Sequence, residues 1–234
     1  MSSTSFLITK ELQSLASPTK AKLLQGFFKT GKGQYGEGDK FLGVMVPVQR
    51  NIAKKLLDID LSEVGKLLRS PYHECRFTAL QILVMKYKKG AEKEKKAIVT
   101  FYIKNRQAIN NWDLVDTSVP YILGDWLLNE DRAVLYKLAG SKNLWDRRIA
   151  IISTFAFIKA GQFEDSIKIA ELLLTDRHDL IHKAVGWMLR EIGKKSHQTL
   201  EQFLNQHATR MPRTMLRYAI EKMSVEKKIK YMDK

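Results

Sequence analysis

From Pro71 onward the chain reads as successive helix pairs of near-constant length, and that spacing restricts the fold more than any other feature. Apolar residues recur at three- and four-residue intervals and no run of period-two alternation appears. Only five prolines and 13 glycines interrupt the 234 residues. The periodicity predicts helices over about 71–88 and 91–107, 110–128 and 131–140, 143–160 and 163–175, and 178–195 and 197–208. Successive pairs begin about 33 to 39 residues apart, the period of α-solenoids of the HEAT or armadillo type. Helix length and spacing carry this reading, because residue-by-residue similarity between pairs is weak. A four-helix bundle with additions is the alternative.

The ends are less regular. Helices are expected over about 4–16, 18–30, 47–57 and 61–69, the second opening where the Ser17 cap precedes Pro18 at the first helical position. Between them lies the one long irregular segment, "GKGQYGEGDKFLG", with Gly31, Gly33, Gly36, Gly38 and Gly43. The segment from Pro212 to Lys234 reads as a terminal helix with a frayed, solvated basic tail. One all-α domain therefore spans residues 1–234: N-terminal helices and glycine-rich loop 1–70, regular pairs 71–208, and a basic C-terminal helix 209–234.

Forty Lys and Arg against 25 Asp and Glu leave a net charge of +15, with a pI near 9.8. That imbalance favours a polyanionic partner, nucleic acid before an anionic membrane surface. Cys75 is the only cysteine, so no internal disulfide can form, and "MSSTSFLITKELQSL" carries neither a basic n-region nor an apolar h-region. A cytoplasmic, monomeric protein is expected, nucleoid-associated when bound to DNA. The longest nearly apolar run, "IAIISTFAFI" from Ile149 to Ile158, is about half a bilayer span and contains Ser153 and Thr154. No membrane reading follows from it.

In a solenoid, matching positions of successive first helices form a row along one face. Trp112 and Asp116 stand at i and i+4, Trp145 and Arg148 at i and i+3, and Lys183, Trp187, Arg190 and Lys194 share one face of the segment at 178. A lone tryptophan at helical spacing is most often core, and this applies to Trp126 and Trp145 as well. Trp187 is different, because a core face would not hold Lys183, Arg190 and Lys194 unpaired. The row suits gripping phosphates and stacking on sugar or base. Asp113 projects from another face than Asp116 and, at the helix start, suits the positive end of the dipole, so it reads as structural.

Three other motifs carry less. "GFFKTGKG", Gly26 to Gly33, has a P-loop skeleton, yet Gly33 stands where Ser or Thr should bind magnesium, and its first residues read as helix. "HDLIH" sets His178 and His182 one turn apart without the zincin glutamate or a third ligand, and His178 reads as a cap or an exposed residue near a helix start. Cys75, beside His73 and Arg76, has no nucleophile motif. No metal or cofactor is called for. "HECRFTALQILVMKY", from His73 to Tyr87, reads as an ordinary amphipathic helix with Phe77, Leu80, Ile82 and Val84 facing inward or sideways, and without chemistry.

"NNWDLVDTSVPYILGDWL", "NLWDRRIAII" and "HKAVGWMLREIGKK" resemble the DNA alkylation repair glycosylases of the HEAT-like-repeat superfamily, the AlkD family, and "GFFKTGKGQYGEGDKFLGV" is similar to the N-terminal part of many members. The resemblance covers nearly the whole chain in order. It implies a right-handed α-solenoid with a concave basic groove. It also implies hydrolysis of the N-glycosidic bond of cationic N3- or N7-alkylated purines in double-stranded DNA, without metal or cofactor. The family's catalytic aspartate falls on Asp116, its sugar-contacting tryptophans on Trp112 and Trp187, and its arginine on Arg148. Some members have a tyrosine in the N-terminal helices where this chain has Phe27 and Phe28, so an aromatic contact to DNA remains there but no phenol. Lys183, Arg190 and Lys194 are the further expected DNA contacts.

The chemistry agrees with that assignment. A cationic purine is already a good leaving group, and positive charge develops on the deoxyribose as the bond breaks, so one carboxylate beside the sugar suffices. A HEAT-like module that binds damaged or branched nucleic acid without catalysis, and a protein-binding scaffold, are the competing readings.

Overall fold

A computed structural model describes residues 3–233 of the chain. It is all-α, and among the described residues no strand forms; Lys40 and Tyr72 make one isolated bridge. The chain divides into two compact units, Met1–Ile122 and Leu123–Lys234. The division falls within the segment expected as one helix over 110–128.

That segment is three short pieces: α-helices at Trp112–Asp116 and Leu123–Trp126, with a 3-10 turn at Val119–Tyr121 between them. Pro120 lies in the turn; it has no N–H to give the carbonyl four residues back, and its ring would crowd that carbonyl in a continuous helix. The Ser118 hydroxyl, which donates to the Leu114 carbonyl at 2.5 Å, helps to close the first piece.

The first unit holds α1 (Thr4–Ser14), α2 (Pro18–Phe27), α3 (Val46–Lys54), α4 (Leu61–Leu68), α5 (His73–Lys89), α6 (Glu92–Lys104) and α7 (Trp112–Asp116). Ser17 caps α2 by accepting from the Lys20 N–H, with Pro18 at the first helical position, as its sequence predicts. The centre of the unit is α5, packed by α1, α3, α4, α6 and α7. It is not an ordinary amphipathic helix. Phe77, Leu80, Ile82 and Val84 are buried, but so are His73, Glu74, Arg76, Thr78 and Gln81. Surrounded on all sides, α5 must bury its polar residues and find partners for them inside.

Glu74 shows how. Its carboxylate, 1% exposed, accepts backbone N–H groups of the glycine-rich loop: Leu42 at 3.0 Å, Gly43 at 2.8 Å and Val44 at 3.3 Å. Gly43 has a φ of +83°, and a Cβ there would stand 2.2 Å from the Ser17 carbonyl oxygen. Only glycine permits both the left-handed backbone and that approach. The C-terminal end of the loop, residues 42–44, is thus bolted to α5 and packed against the start of α2, where the Ser17 N–H donates to the Leu42 carbonyl at 2.8 Å.

The second unit holds α8 (Leu123–Trp126), α9 (Ala133–Ala139), α10 (Leu144–Lys159), α11 (Glu164–Leu172), α12 (Asp179–Lys195), α13 (His197–His207), α14 (Arg213–Ile220) and α15 (Val225–Met232). Helix α10 packs on α8, α9, α11 and α12, and α12 packs on α13 and α14. The apolar run Ile149–Ile158 is buried in α10 except at its half-buried Phe155 and Ala156. Among the described residues no helix is long and apolar enough to cross a membrane. Close approach of α12 to α14 rests on Gly186, where a Cβ would lie 2.5 Å from the Met215 carbonyl oxygen.

The expected single terminal helix is two, α14 and α15, and Ser224 caps the second by accepting from the Lys227 N–H. Nor is the tail frayed. Tyr231 is 1% exposed and donates to the Asn205 side chain at 3.1 Å, Lys227 pairs with Glu201, and Arg213 donates to the Met232 carbonyl. An aromatic anchor among the lysines holds what charge alone would leave solvated; Lys234 lies outside the described residues.

Replacing Glu74 by Ala leaves three buried N–H groups of the loop without an acceptor. The Glu74→Ala protein is expected to lose on the order of 3 kcal/mol of unfolding free energy in urea titrations. A loss below about 1 kcal/mol would show that the loop does not depend on this carboxylate.

Candidate functional site

The five-residue α7 carries two of the expected site residues. Asn111 caps it, accepting the Trp112 N–H at 2.9 Å, and Trp112 and Asp116 are both half-buried. Asp113 is turned inward, 8% exposed, and accepts the Leu114 N–H at 2.8 Å. The two acids therefore face different surroundings, as helical periodicity requires.

Phe27 and Phe28 part company. Phe27 is 61% exposed and meets the Trp112 ring edge-on at 5.9 Å. Phe28 is 7% exposed, stacked on Trp112 at 5.4 Å on one side and on Phe41 at 5.0 Å on the other. Phe28 thus backs Trp112 from inside, and Phe27 is the exposed ring of the two. Neighbouring positions at the end of α2 point in different directions, and the residue types alone do not reveal which one is covered.

Behind this aromatic column lies a cluster of charges that sequence reasoning missed. The His73 ring nitrogens both reach carboxylates: Nδ1 contacts Asp39 at 3.1 Å and Nε2 contacts Asp113 at 2.8 Å. Both carboxylates accept, so both nitrogens donate and the ring is an imidazolium. Burial opposes the charged form, but the hydrogen bonds to Asp113 and Asp39 outweigh it and push the pKa up to about 9. Arg76 pairs with the other oxygen of Asp39, and the Asn111 amide donates to Asp39 at 3.3 Å. Burial would raise the Asp39 pKa, yet hydrogen bonding to His73 and the Arg76 charge hold it below the usual carboxylate range. Two cations and two anions cancel. The available signal was the pair His73 and Arg76 in the first turn of a helix with no polar face; the partners lie 34 and 40 residues away from His73.

In the second unit, α12 presents Lys183, Trp187 and Arg190 half-buried and Lys194 exposed. These three cations do not stand alone. Each has an acid instead: Lys183 contacts Asp179 at 2.7 Å, Lys194 contacts Glu191 at 2.7 Å, and Arg190 pairs with Glu221 and, at 3.7 Å, with Glu191. The Trp187 indole donates to Glu191 at 3.1 Å and its ring lies 5.7 Å from Phe155. Arg148 is 5% exposed on α10 and donates to the Leu180 carbonyl at 2.6 Å, where it braces the start of α12. Its guanidinium is buried against the first turn of α12. Trp145, expected as core, is 9% exposed, and its N–H is capped by Asn143.

The weaker motifs resolve. Gly26 belongs to α2, and no strand precedes the P-loop-like segment among the described residues. His178 caps α12 by accepting the Leu180 N–H at 3.1 Å, and His182 contacts the Asp176 carbonyl at 2.5 Å. No group of three or more His, Cys, Asp or Glu that could hold a metal occurs among the described residues. Cys75 is buried, and burial pushes its thiol pKa up, away from nucleophilic use.

Fold and side chains together define an all-α protein of packed helices that sets aromatic, acidic and cationic groups on half-buried helix faces. A family model described as DNA alkylation repair enzyme matches residues 8–223, and the chain belongs to that family. A solved structure of a predicted DNA alkylation repair enzyme from Enterococcus faecalis superposes with a TM-score of 0.71. It covers 90% of this chain and 97% of that one, at 18% identity, a likeness of fold. No curated protein matches the chain.

The raised His73 pKa has a signed consequence. A group whose pKa is higher folded than unfolded stabilises fully below its unfolded value, near 6.5, and that contribution is lost as pH climbs through about 9. Unfolding free energy is expected to fall by up to roughly 3 kcal/mol between these limits. Urea titrations at stepped pH test it, and a flat profile across that window contradicts the imidazolium.

Replacing the two phenylalanines separates their roles. Phe28→Ala is expected to cost about 3 kcal/mol of stability, whereas the exposed Phe27→Ala should cost under about 1 kcal/mol. Equal losses in thermal unfolding would contradict the difference in burial.

Proposed function

We propose that this member of the DNA alkylation repair family is a monofunctional alkylpurine DNA glycosylase, hydrolysing the N-glycosidic bond of cationic N3- or N7-alkylated purines in double-stranded DNA. The observation that carries the reading is the pairing of Trp112 and Asp116 on one short helix, with Asp113 withdrawn into the interior. A carboxylate beside an aromatic face is what a cationic nucleotide with a developing oxocarbenium sugar needs. The reading includes the HEAT-like arrangement expected from the sequence, a right-handed α-solenoid with a concave basic groove.

In this reading Asp116 stabilises the positive charge that develops on the deoxyribose as the bond to the purine breaks, orients the water that adds to the sugar and accepts the proton that water gives up. The base leaves as a neutral purine because its alkyl group already made it cationic, so no general acid is required. Trp112 and Trp187 give π faces to the cationic nucleotide. Lys183, Arg190 and Lys194 engage backbone phosphates, and Phe27 adds an exposed aromatic contact. Arg148 serves by holding the start of α12, and Phe28 by backing Trp112.

Asp116→Asn keeps the shape and removes the charge. Release of 7-methylguanine or 3-methyladenine from methylated duplex should fall about a hundredfold or more, equivalent to roughly 3 kcal/mol of barrier, with duplex binding retained. Equal release by both proteins would remove Asp116 from the chemistry. Salt-sensitive binding with no release by the wild type would make the chain a binding module.

A further inference from the structure

Because α7 has only five residues, its own hydrogen bonds cannot fix where Trp112 and Asp116 stand, and its place is set by what anchors it. The anchors converge on His73. Its Nε2 holds Asp113 in the first turn of α7, and its Nδ1 holds Asp39, which in turn accepts the amide of the α7 cap, Asn111. The same ring stacks on Phe41 at 4.6 Å and lies 5.0 Å from Phe28, which itself stacks on Trp112. One imidazole thus supports α7 by two independent routes, polar through the cap and first turn, and aromatic through Phe28.

We propose that His73 is a positioning residue: held by Asp39 and Asp113 and stacked with Phe28 and Phe41, it sets the placement of Trp112 and Asp116 and so the rate of base release. The inference rests on the glycosylase reading for its effect on rate, but not for its effect on Trp112. His73 itself touches no substrate. The charged groups that face it are Asp39 from the glycine-rich loop, Asp113 from α7 and Arg76 from its own helix. A two-sided donor is needed, because a neutral imidazole can donate to only one of the two carboxylates and leaves the other facing a lone pair. Small displacements suffice to matter, since a shift of about 1 Å in a catalytic group costs on the order of a hundredfold in rate.

The test uses the full chain with 5-fluorotryptophan at its four tryptophans and His73→Gln as the variant. The 19F resonance of Trp112, identified by its loss in Trp112→Phe, is expected to move in the variant and, in the wild type, as pH rises through the alkaline range. The resonances of Trp126, Trp145 and Trp187 stay in place. Single-turnover base release at neutral pH falls about tenfold to a hundredfold, while the dissociation constant for duplex changes less than about threefold. The wild-type rate declines reversibly at alkaline pH, and that decline is missing from the variant.

A purely structural histidine would shift or broaden all four resonances together. That result, or an unmoved Trp112 resonance with an unchanged release rate in a folded variant, overturns the proposal. Should His73→Gln fail to fold, Phe41→Leu removes one stacking partner and is expected to move the Trp112 resonance in the same direction by less; no movement overturns the aromatic route. If the wild type releases no base, the glycosylase reading fails and the inference is decided by the Trp112 resonance alone.

Discussion

The Asp39 carboxylate is the junction on which the first unit depends. It accepts from Arg76 and His73 on α5 and from Asn111 at the head of α7, while itself belonging to the glycine-rich loop. Buried charges are tolerable only when paired and hydrogen-bonded, and removing one partner costs more than the pair contributes. Here the pairing crosses three segments of chain that are distant in sequence. With Glu74 holding the loop backbone a few residues on, the long irregular segment becomes a fixed part of the unit. Its glycines serve the backbone path; its acid serves the interior.

The second unit handles charge differently. On α12 the cations lie half-buried or exposed, each with a carboxylate of α12 itself or of Glu221 at the end of α14 within reach. Such pairs at a surface contribute little to stability. They do change what a polyanion meets. A phosphate arriving at Arg190 or Lys194 exchanges one anionic partner for another, so the gain is smaller than a free cation would offer, even in a chain of net charge +15. The acids Glu191 and Glu221 therefore offset the cations of α12, and Glu191 also accepts from the Trp187 indole N–H.

What the sequence revealed and what it hid follow from the range of the interactions involved. Helix positions were legible because periodicity and caps are local: Ser17 with Pro18, Asn143 and His178 all act within three residues. The break at Pro120 was legible in principle, since proline forbids a helix interior, but tryptophans and leucines at helical spacing on either side masked it. The docking of Tyr231 on Asn205 was not, because a lysine-rich tail gives no sign of which aromatic finds a pocket. The buried cluster is the extreme case. Nothing near His73 names Asp39 or Asp113 as its partners, and only the packed fold selects them.

Residue identity and residue role also separate here for a physical reason. Arg148 matches in type what the resemblance implies, and Phe28 keeps the aromatic ring though not the phenol, yet one is 5% and the other 7% exposed. An aromatic ring can stack on a nucleotide or on the back of another ring, and a guanidinium can clamp a phosphate or a helix-end carbonyl, with the same chemistry in each case. Burial decides between them. Helix packing fixes burial over distances far longer than the motif itself. A covered residue acts only through the group it supports: Phe28 through Trp112, and Arg148 through the opening turn of α12. The precision of Trp112 is then set by the stack beneath it as much as by its own helix, and the weakest member of that stack limits how well the indole is held.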